Sequence, residues 1–265
     1  MIDWDDAFDN SGYVPDAAQI GEDWVAKAAA FRESHKSAEL DVAYGVGDRE
    51  KYDLFLPNQA PKGAVIFVHG GYWHMRAKDD WSHFANGFLS KGWAVAIVGY
   101  PLAPSVRISE ITASIAAAVA AVAQRIDGPV RFVGHSAGGH LVSRMICEGV
   151  LPRVAMTRIE RVVSVSGVHD LRPLIGTKMN DTLGLTEVEA NDESPALVLP
   201  ADVPVTFWVG ADERPEFLRQ TRLIAEAWSL KGADVSAIYE PGMNHFTVIN
   251  GLHDPQSALV AEVLR

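Results

Sequence analysis

The chain has 265 residues, of which 48% are hydrophobic and 22% are charged, and its formal net charge is −11. This composition is typical of a globular protein with a core large enough to need no disulfide. The acidic balance argues against nucleic acid or an anionic membrane as a partner, because both bind basic patches. The single cysteine, Cys147, excludes an intrachain disulfide and suits a reducing compartment, so we expect a cytoplasmic protein.

Targeting and membrane-spanning patterns are not expected in this sequence. The first residues are acidic and lack a basic segment followed by an apolar one, which argues against a signal peptide. No run of about 18 uncharged apolar residues is present, so we expect no membrane span.

The predicted elements alternate along the chain. Residues 38–45 and 49–57 show strand-like alternation around a glycine-containing turn, which predicts an antiparallel pair. Six further strands are predicted, at 63–70, 93–100, 129–135, 161–167, 203–210 and 234–240. Helices are predicted at 79–91, 108–125, 137–149, 215–231 and 255–264. This alternation predicts an α/β fold with a mostly parallel sheet of about eight strands and helices on both faces.

One segment interrupts this alternation. Residues 171–200 form a long, mixed stretch without a clear strand, and such excursions are often caps or functional loops. We therefore predict a short cap inserted into a single domain that covers residues 1–265.

A serine follows the predicted strand 129–135 at a sharp turn. Gly134 and Gly138 flank Ser136 in the pattern G-x-S-x-G, and a predicted helix begins directly afterwards. Such a strand–turn–helix arrangement exposes the serine Oγ at the edge of an α/β sheet. Ser136 is therefore the predicted nucleophile, and the alternative is an ordinary turn that contains a serine.

The nucleophile needs a histidine base, and the nearest histidines are not expected to supply it. In this type of fold the chain order is serine, acid, histidine, which argues against His135 and His140. His245 follows the final predicted strand and is the predicted base. His169 and His253 are weaker alternatives, because one precedes the acid loop and the other lies in a final turn.

The acid that orients the base is predicted in the loop after strand 203–210. Asp212 lies two residues beyond Gly210, at the carboxyl end of that strand. Glu213 and Glu216 are close alternatives, interpreted as surface or helix-terminal charges. Asp170 and Asp181 are weaker alternatives.

The loop after strand 63–70 is expected to provide the oxyanion hole. Gly70 and Gly71 allow backbone N–H groups to approach a developing anion, and the N–H of Ala137 would supply a further donor. Tyr72 and Trp73 are predicted to face the substrate pocket. The neighbouring His69 is expected to brace this loop.

Cofactor and metal motifs are not found. The sequence has neither a dinucleotide-binding nor a P-loop glycine pattern, and no H-E-x-x-H or paired cysteines. We therefore predict that the protein uses no cofactor and no metal, and that its partner is a small-molecule substrate.

Several motifs resemble those of the α/β-hydrolase superfamily and, within it, of the kynurenine formamidase (arylformamidase) group. They are "HGGYW" (69–73), "GHSAGGHL" (134–141), "SGVHDLRPL" (166–174), "NDTLGL" (180–185), "DERPEF" (212–217) and "NHF" (244–246). The N-terminal "AFDNSGYVPD" also resembles that group's opening segment, which usually lies near the pocket.

The resemblance implies a catalytic triad of Ser136, Asp212 and His245. It also implies hydrolysis of an N-formyl arylamine, such as N-formylkynurenine in tryptophan catabolism, to formate and the free amine. His169 stands where that group more usually has an aromatic residue, so it is expected to line an altered pocket wall.

Three functions remain open at this point. The first is an arylformamidase, and the second is a general carboxylesterase that acts on short acyl esters. The third is a non-catalytic hydrolase-fold protein that binds a small ligand. The serine, histidine and acid positions favour the first two.

Overall fold

An eight-stranded sheet organises residues 2–265, which are the residues that the computed structural model describes. The strands are β1 (Ala38–Ala43), β2 (Lys51–Phe55), β3 (Ala64–Val68), β4 (Ala94–Val98), β5 (Val130–His135), β6 (Ile159–Val165), β7 (Val205–Gly210) and β8 (Val235–Glu240). Their order across the sheet is β1-β2-β4-β3-β5-β6-β7-β8. The β1–β2 and β2–β4 pairs are antiparallel, and all the other pairs are parallel. The predicted α/β-hydrolase fold is therefore confirmed.

Helices connect and flank these strands. They are α1 (Trp4–Phe8), α2 (Asn10–Tyr13), α3 (Ala17–Ser34), α4 (Asn86–Leu89), α5 (Ile108–Arg125), α6 (Ala137–Met145), α7 (Arg153–Met156), α8 (Asn180–Leu183), α9 (Glu187–Asp192), α10 (Pro215–Leu230) and α11 (Ala258–Leu264). Short 3₁₀ segments lie at Lys78–Asp80, Ser82–Ala85, Arg172–Gly176, Pro195–Leu197 and Val248–His253. None of the helices within residues 2–265 is long and apolar enough to cross a membrane.

The sheet is buried on both faces. On one face, α5, α6 and α10 cover a core that includes Phe132, Leu141 and Trp228. On the other face, α3 and α11 cover a second core that includes Trp24 and Val260. Strands β3 and β4 are therefore apolar throughout and do not alternate, as expected for a parallel sheet covered on both sides.

The N-terminal region departs from the prediction, because α3 was not predicted. It has 18 residues and buries Gly21, Trp24 and Ala28. The predicted helix 79–91 is also replaced by 3₁₀ turns and the four-residue helix α4.

Residues 171–200, predicted as a cap, carry α8, α9 and two 3₁₀ segments. A buried ion pair between Arg144 on α6 and Glu193 holds this segment to the sheet domain, with 3.0 Å between Nη2 and Oε1. The N-terminal region also contacts it, because the backbone N–H of Lys178 donates to the Asp5 carboxylate at 2.7 Å.

Candidate active site

The turn between β5 and α6 holds Ser136 in a strained backbone conformation, with φ 56° and ψ −117°. Both flanking glycines are required sterically. A Cβ on Gly138 would lie 1.9 Å from the Val68 carbonyl oxygen, and one on Gly134 would lie 2.2 Å from the Gly138 carbonyl oxygen. The sharp turn predicted from G-x-S-x-G is present, and Ser136 lines a cavity at the carboxyl edge of the sheet.

The loop after β3 has an unusual backbone. Gly71, Tyr72 and Trp73 have φ values of 117°, 51° and 60°, so three consecutive residues occupy the left-handed region. Such strain persists only where the surroundings hold it, and it is common at functional sites. Here the Ala103 N–H donates to the Trp73 carbonyl at 3.0 Å, and the Tyr72 hydroxyl donates to the Phe8 carbonyl at 2.8 Å.

Three backbone donors lie around Ser136. Gly70 packs against the serine, since a Cβ on Gly70 would lie 3.0 Å from the Ser136 Cβ. Gly71 lines the same cavity, and Ala137 begins α6. Within residues 2–265 the N–H groups of Gly70, Gly71 and Ala137 donate no hydrogen bond, so they are free to bind an anion.

His69 lies beneath this loop as a brace. Its ring stacks on Tyr100 with 4.2 Å between ring centroids, and its Nδ1 lies 2.6 Å from the Gly70 carbonyl oxygen. Burial lowers the pKa of His69 to about 3, so the ring is neutral at physiological pH.

His245 faces the same cavity as Ser136 and is paired with a carboxylate behind it. Its Nδ1 donates to Glu213 Oε2 at 2.7 Å, and both side chains are buried. Glu213 Oε1 also accepts from the Ser166 hydroxyl and from the Gly210 N–H. These bonds fix the carboxylate and leave the His245 Nε2 available to act on a proton in the cavity.

The carboxylate that faces His245 is thus not the predicted one. Asp212 is exposed, and its backbone N–H donates to the Met243 carbonyl at 3.0 Å. Glu213, weighed in the sequence analysis as an alternative, folds back under the end of β7. Glu216 instead pairs with Arg219 at 2.7 Å.

The two histidines near the serine are engaged elsewhere. His135 is buried and its Nε2 contacts the His245 carbonyl oxygen at 2.8 Å. His140 is fully buried, with Nδ1 accepting from the Trp73 indole at 3.2 Å and Nε2 donating to the Glu193 carbonyl at 2.7 Å. Burial lowers the pKa of His140 to about 4.

Two predicted pocket residues lie in the core instead. Trp73 is fully buried against His140, because its left-handed backbone turns the indole inward. His169 is buried beside Ser164, with its Nε2 3.3 Å from the serine Oγ. Tyr72 does line the cavity, as predicted.

The cavity at Ser136 is small, with a volume of about 60 Å³. Its walls come from five parts of the chain, namely Ser11, Trp24, Gly71, Tyr72, Met75, Arg76, Trp81, His135, Ser136, His245 and Phe246. Ser11 belongs to the N-terminal segment that was expected near the pocket, whereas no role was predicted for Trp24, Met75, Arg76, Trp81 or Phe246. The spacing of Trp24, Ala28 and Phe31 is typical of one face of a helix, and it was the sequence signal that could have predicted α3, which carries Trp24.

A wider outer cavity of about 390 Å³ adjoins the inner one. The two share Ser11, Tyr72 and Met75 as walls. Phe8 from α1 and Met179 from the segment 171–200 line its far side. A third cavity, of about 630 Å³, lies beside α3 and does not include Ser136. Within residues 2–265, no group of three or more His, Cys, Asp or Glu side chains is placed to hold a metal.

The fold and this site define the class of protein. A mostly parallel sheet of eight strands, with a serine on a sharp strand–helix turn, is the arrangement of an α/β hydrolase. Solved esterase structures have the same fold. Esterase B from Lactobacillus rhamnosis, for example, superimposes with a TM-score of 0.69 at 18% identity, over 92% of this chain and 90% of that one.

The chain belongs to the BD-FAE family, whose model matches residues 52–199, and to the kynurenine formamidase group within the α/β hydrolases. Kynurenine formamidase of Danio rerio is 31% identical over 237 residues, which are 85% of this chain and 80% of the relative. The Salmo salar enzyme is 30% identical over 238 residues. A candidate thioesterase from Silicibacter is 48% identical over the whole of both chains, with a TM-score of 0.95. The protein is therefore a hydrolase.

Proposed function

We propose that this hydrolase removes a formyl group from an aryl amide, with N-formylkynurenine as the leading substrate, by means of Ser136, His245 and Glu213. The buried His245–Glu213 hydrogen bond at 2.7 Å, beside a strained Ser136 on the same cavity, is the observation that carries the proposal. The names of the Danio rerio and Salmo salar relatives supply the substrate class.

The proposed reaction proceeds through a formyl-enzyme. Ser136 Oγ attacks the formyl carbon while His245 Nε2 takes its proton, and Glu213 holds the His245 Nδ1–H and stabilises the imidazolium. The tetrahedral oxyanion accepts hydrogen bonds from the free N–H groups of Gly70, Gly71 and Ala137. Protonated His245 then donates its proton to the departing aryl amine, and water releases formate by the same sequence of proton transfers.

Cavity size supports a short acyl group. Pockets for drug-sized ligands usually measure roughly 300–1,000 Å³, and the inner cavity of about 60 Å³ is far smaller. The outer cavity of about 390 Å³ is large enough for an aryl leaving group, and Phe8 and Tyr72 give it aromatic walls. The segment 171–200 would act as a cap, since Thr177, Met179 and Thr182 close this side.

The decisive experiment compares acyl lengths on one leaving group. We expect kcat/KM to fall from formanilide to acetanilide to butyranilide, by roughly 10- to 200-fold for each group that meets a wall. A series that stays flat or rises with acyl length would favour the alternative, a general short-acyl esterase. The similarity to the Silicibacter candidate thioesterase supports testing that alternative. Acetyl thioesters are therefore assayed alongside the anilides.

Replacing Ser136 by alanine tests the nucleophile itself. We expect S136A to lose hydrolysis by about 10⁴-fold or more, because the covalent step is removed. A fluorophosphonate probe should label the parent protein and not the variant. If S136A were labelled at the parent rate, the nucleophile would be another residue. If neither protein were labelled, the non-catalytic ligand-binding alternative would be favoured.

The remaining expectations concern cellular context. We propose a small molecule as the partner, with no nucleic acid and no membrane, because the net charge of −11 disfavours anionic surfaces. We also propose a cytoplasmic location and a single domain across residues 1–265.

The single cysteine is consistent with a reducing compartment. Cys147 is buried, and burial raises the pKa of its thiol to about 11, which suits an inert core thiol. Cell fractionation with an antibody against the protein tests the location.

A further inference from the structure

Among residues 2–265, Arg76 is the one wall of the Ser136 cavity with a permanent positive charge, and none of the walls is an aspartate or a glutamate. The chain as a whole carries a net charge of −11. A positively charged residue in the wall of this small cavity therefore contrasts with the acidic balance of the chain.

The guanidinium has unused hydrogen-bonding capacity. Within residues 2–265 it donates no hydrogen bond, and its nearest acid is Asp80, with 3.8 Å between Nη1 and Oδ2. The Arg76 side chain is about one-third exposed. Guanidinium presents five N–H donors in a planar fork, which matches the two oxygens of a carboxylate.

The backbone positions this side chain with strain. Arg76 has φ 73°, and its carbonyl accepts a hydrogen bond from the Arg49 guanidinium. The stem runs along Gly71, where an added Cβ would lie 3.1 Å from Arg76 Cγ. Gly70, the residue before Gly71, packs against Ser136. The charge is thus held on the same loop that supplies the proposed oxyanion donors.

Gly21 makes room for the guanidinium. This glycine lies inside the 18-residue helix α3, where alanine would be the better helix former. A Cβ on Gly21 would lie 2.4 Å from Arg76 Nη2. Glycine at this position weakens the helix but leaves space for the Arg76 guanidinium, which a side chain would displace.

We propose that Arg76 binds a carboxylate on the leaving group of the substrate and thereby makes this hydrolase selective for aryl amides that carry such a carboxylate. The inference rests on the proposed function for its site and deepens it by naming the substrate class. A carboxylate held in this way would lie in the Ser136 cavity, with the rest of the leaving group passing between Tyr72 and Met75 into the outer cavity.

Binding tests the proposal without turnover. Benzoate and its neutral isostere benzamide are titrated by calorimetry into the S136A protein and into S136A carrying R76Q. We expect benzoate to bind S136A about 10- to 100-fold more tightly than benzamide, and R76Q to remove most of this preference. Equal affinity for the two probes, no benzoate binding, or a preference that survives R76Q would each overturn the proposal.

Three further variants separate charge recognition from structure. R76K keeps the charge but loses the fork, so we expect part of the preference to remain. G21A should weaken benzoate binding without altering any charge, because its Cβ displaces the guanidinium. R153Q is the matched control, since Arg153 is exposed on α7, just before the amino end of β6 and away from the serine edge. Equal losses in R153Q and R76Q would mean a general charge effect.

Kinetics then connects binding to catalysis. We expect the preference of 2-formamidobenzoate over 2-formamidobenzamide, in which the distinguishing group is next to the scissile amide, to appear in KM and to collapse in R76Q. Thermal unfolding of each variant shows whether a loss reflects folding, and equal losses on both substrates would indicate a structural role. If formanilides are not hydrolysed while benzoate still binds through Arg76, the proposed function fails and the anion site stands.

Discussion

Glu213 faces His245 because of where the backbone turns after β7. The N–H of Glu213 donates to the Gly210 carbonyl at 3.3 Å, and its own carboxylate accepts from the Gly210 N–H at 2.9 Å. This local turn folds the longer glutamate side chain back towards the sheet edge. Asp212 is one residue earlier, with its side chain in solvent.

The two neighbouring carboxylates give a matched pair of variants. We expect E213Q to lower kcat by roughly 10³- to 10⁴-fold, because the amide cannot stabilise the imidazolium that forms on His245. D212N should retain kcat within about threefold, since its side chain makes no contact with His245. Initial rates on formanilide measure both, and circular dichroism checks folding. The reverse ranking would restore the acid predicted from the sequence.

The sequence located this loop but could not select between its adjacent acids. Asp212, Glu213 and Glu216 all follow the same strand, and side-chain direction depends on a turn that no pattern specifies. The positions of Ser136 and His245 were easier to predict. The glycine spacing constrains Ser136, and the position directly after the last strand constrains His245. Trp73 was misplaced because neighbouring glycines and a position after a strand do not specify side-chain direction, and its left-handed φ turns the indole into the core.

At the level of elements, the turn between β5 and α6 depends on close backbone approach. Gly138 lies against the end of β3, so any side chain there would force the helix away from the sheet. Overpacking typically costs about 1–3 kcal/mol and occasionally more. We expect about 3 kcal/mol or more for G138A, because its Cβ would lie 1.9 Å from the Val68 carbonyl oxygen.

G176A is the control for that expectation. A Cβ on Gly176 would meet only Trp4, at an ordinary distance of 3.5 Å, so its stability should change by less than about 0.5 kcal/mol. Urea unfolding compares the two variants with the parent. Similar free energies of unfolding for G138A and the parent would show that the turn can relax, contrary to the packing described.

Two ion pairs tether the segment 171–200 with different burial. Arg144–Glu193 is buried on both sides, with side chains 9% and 6% exposed, whereas the Arg107 side chain of Arg107–Glu189 is 54% exposed. Removing one partner of a buried pair leaves an uncompensated charge and costs about 3–5 kcal/mol. We therefore expect R144M to destabilise the protein by that amount, as measured by urea unfolding.

R107M is the comparison for the tether. Only the Arg107 side of this pair is exposed, since the Glu189 side chain is 9% exposed. Glu189 also accepts from the Ser109 N–H and hydroxyl, which would still satisfy it in R107M. We therefore expect R107M to cost about 1 kcal/mol, less than R144M. Thr112 also donates to Glu193 at 2.6 Å, which adds to the buried network. Equal destabilisation by the two variants would contradict the role assigned to burial.

Element prediction succeeded where periodicity and packing agree. Helix α5 occupies residues 108–125 as predicted, because its apolar face is continuous against the sheet. Helix α3 was missed because alanines and charges dilute its buried stripe of Gly21, Trp24 and Ala28. Trp24 of α3 reaches the Ser136 cavity only because the helix packs against the loop after β3, and the local sequence of α3 does not predict that packing.

For the whole molecule, buried histidines make stability depend on pH. His69, His83, His135, His140 and His169 are all buried. Burial lowers the pKa to about 3 for His69 and His83 and to about 4 for His140, and it lowers the pKa of His135 and His169 well below the ordinary value. Each ring is thus neutral in the folded protein at pH values where the unfolded chain protonates it.

The sign of the linkage follows from these directions. Between the unfolded pKa of about 6.5 and the lowered folded pKa values, the unfolded state binds more protons, so stability rises with pH. The contribution of these histidines is fully present above about pH 6.5 and is lost as the pH falls. Asp80 opposes this trend weakly, because burial raises the pKa of its carboxyl.

We therefore expect the free energy of unfolding to fall steeply from pH 7 to pH 5, before ordinary carboxylates titrate. Each buried histidine contributes up to about 1.4 kcal/mol per pH unit in this range. Urea unfolding at half-unit pH steps measures the slope, and calorimetry in buffers of different ionisation enthalpy counts the protons taken up on unfolding. H169Q should reduce that count by about one proton, because His169 is buried with no carboxylate contact. A free energy that stays constant from pH 6.5 to pH 5 would mean that these rings are protonated within the fold.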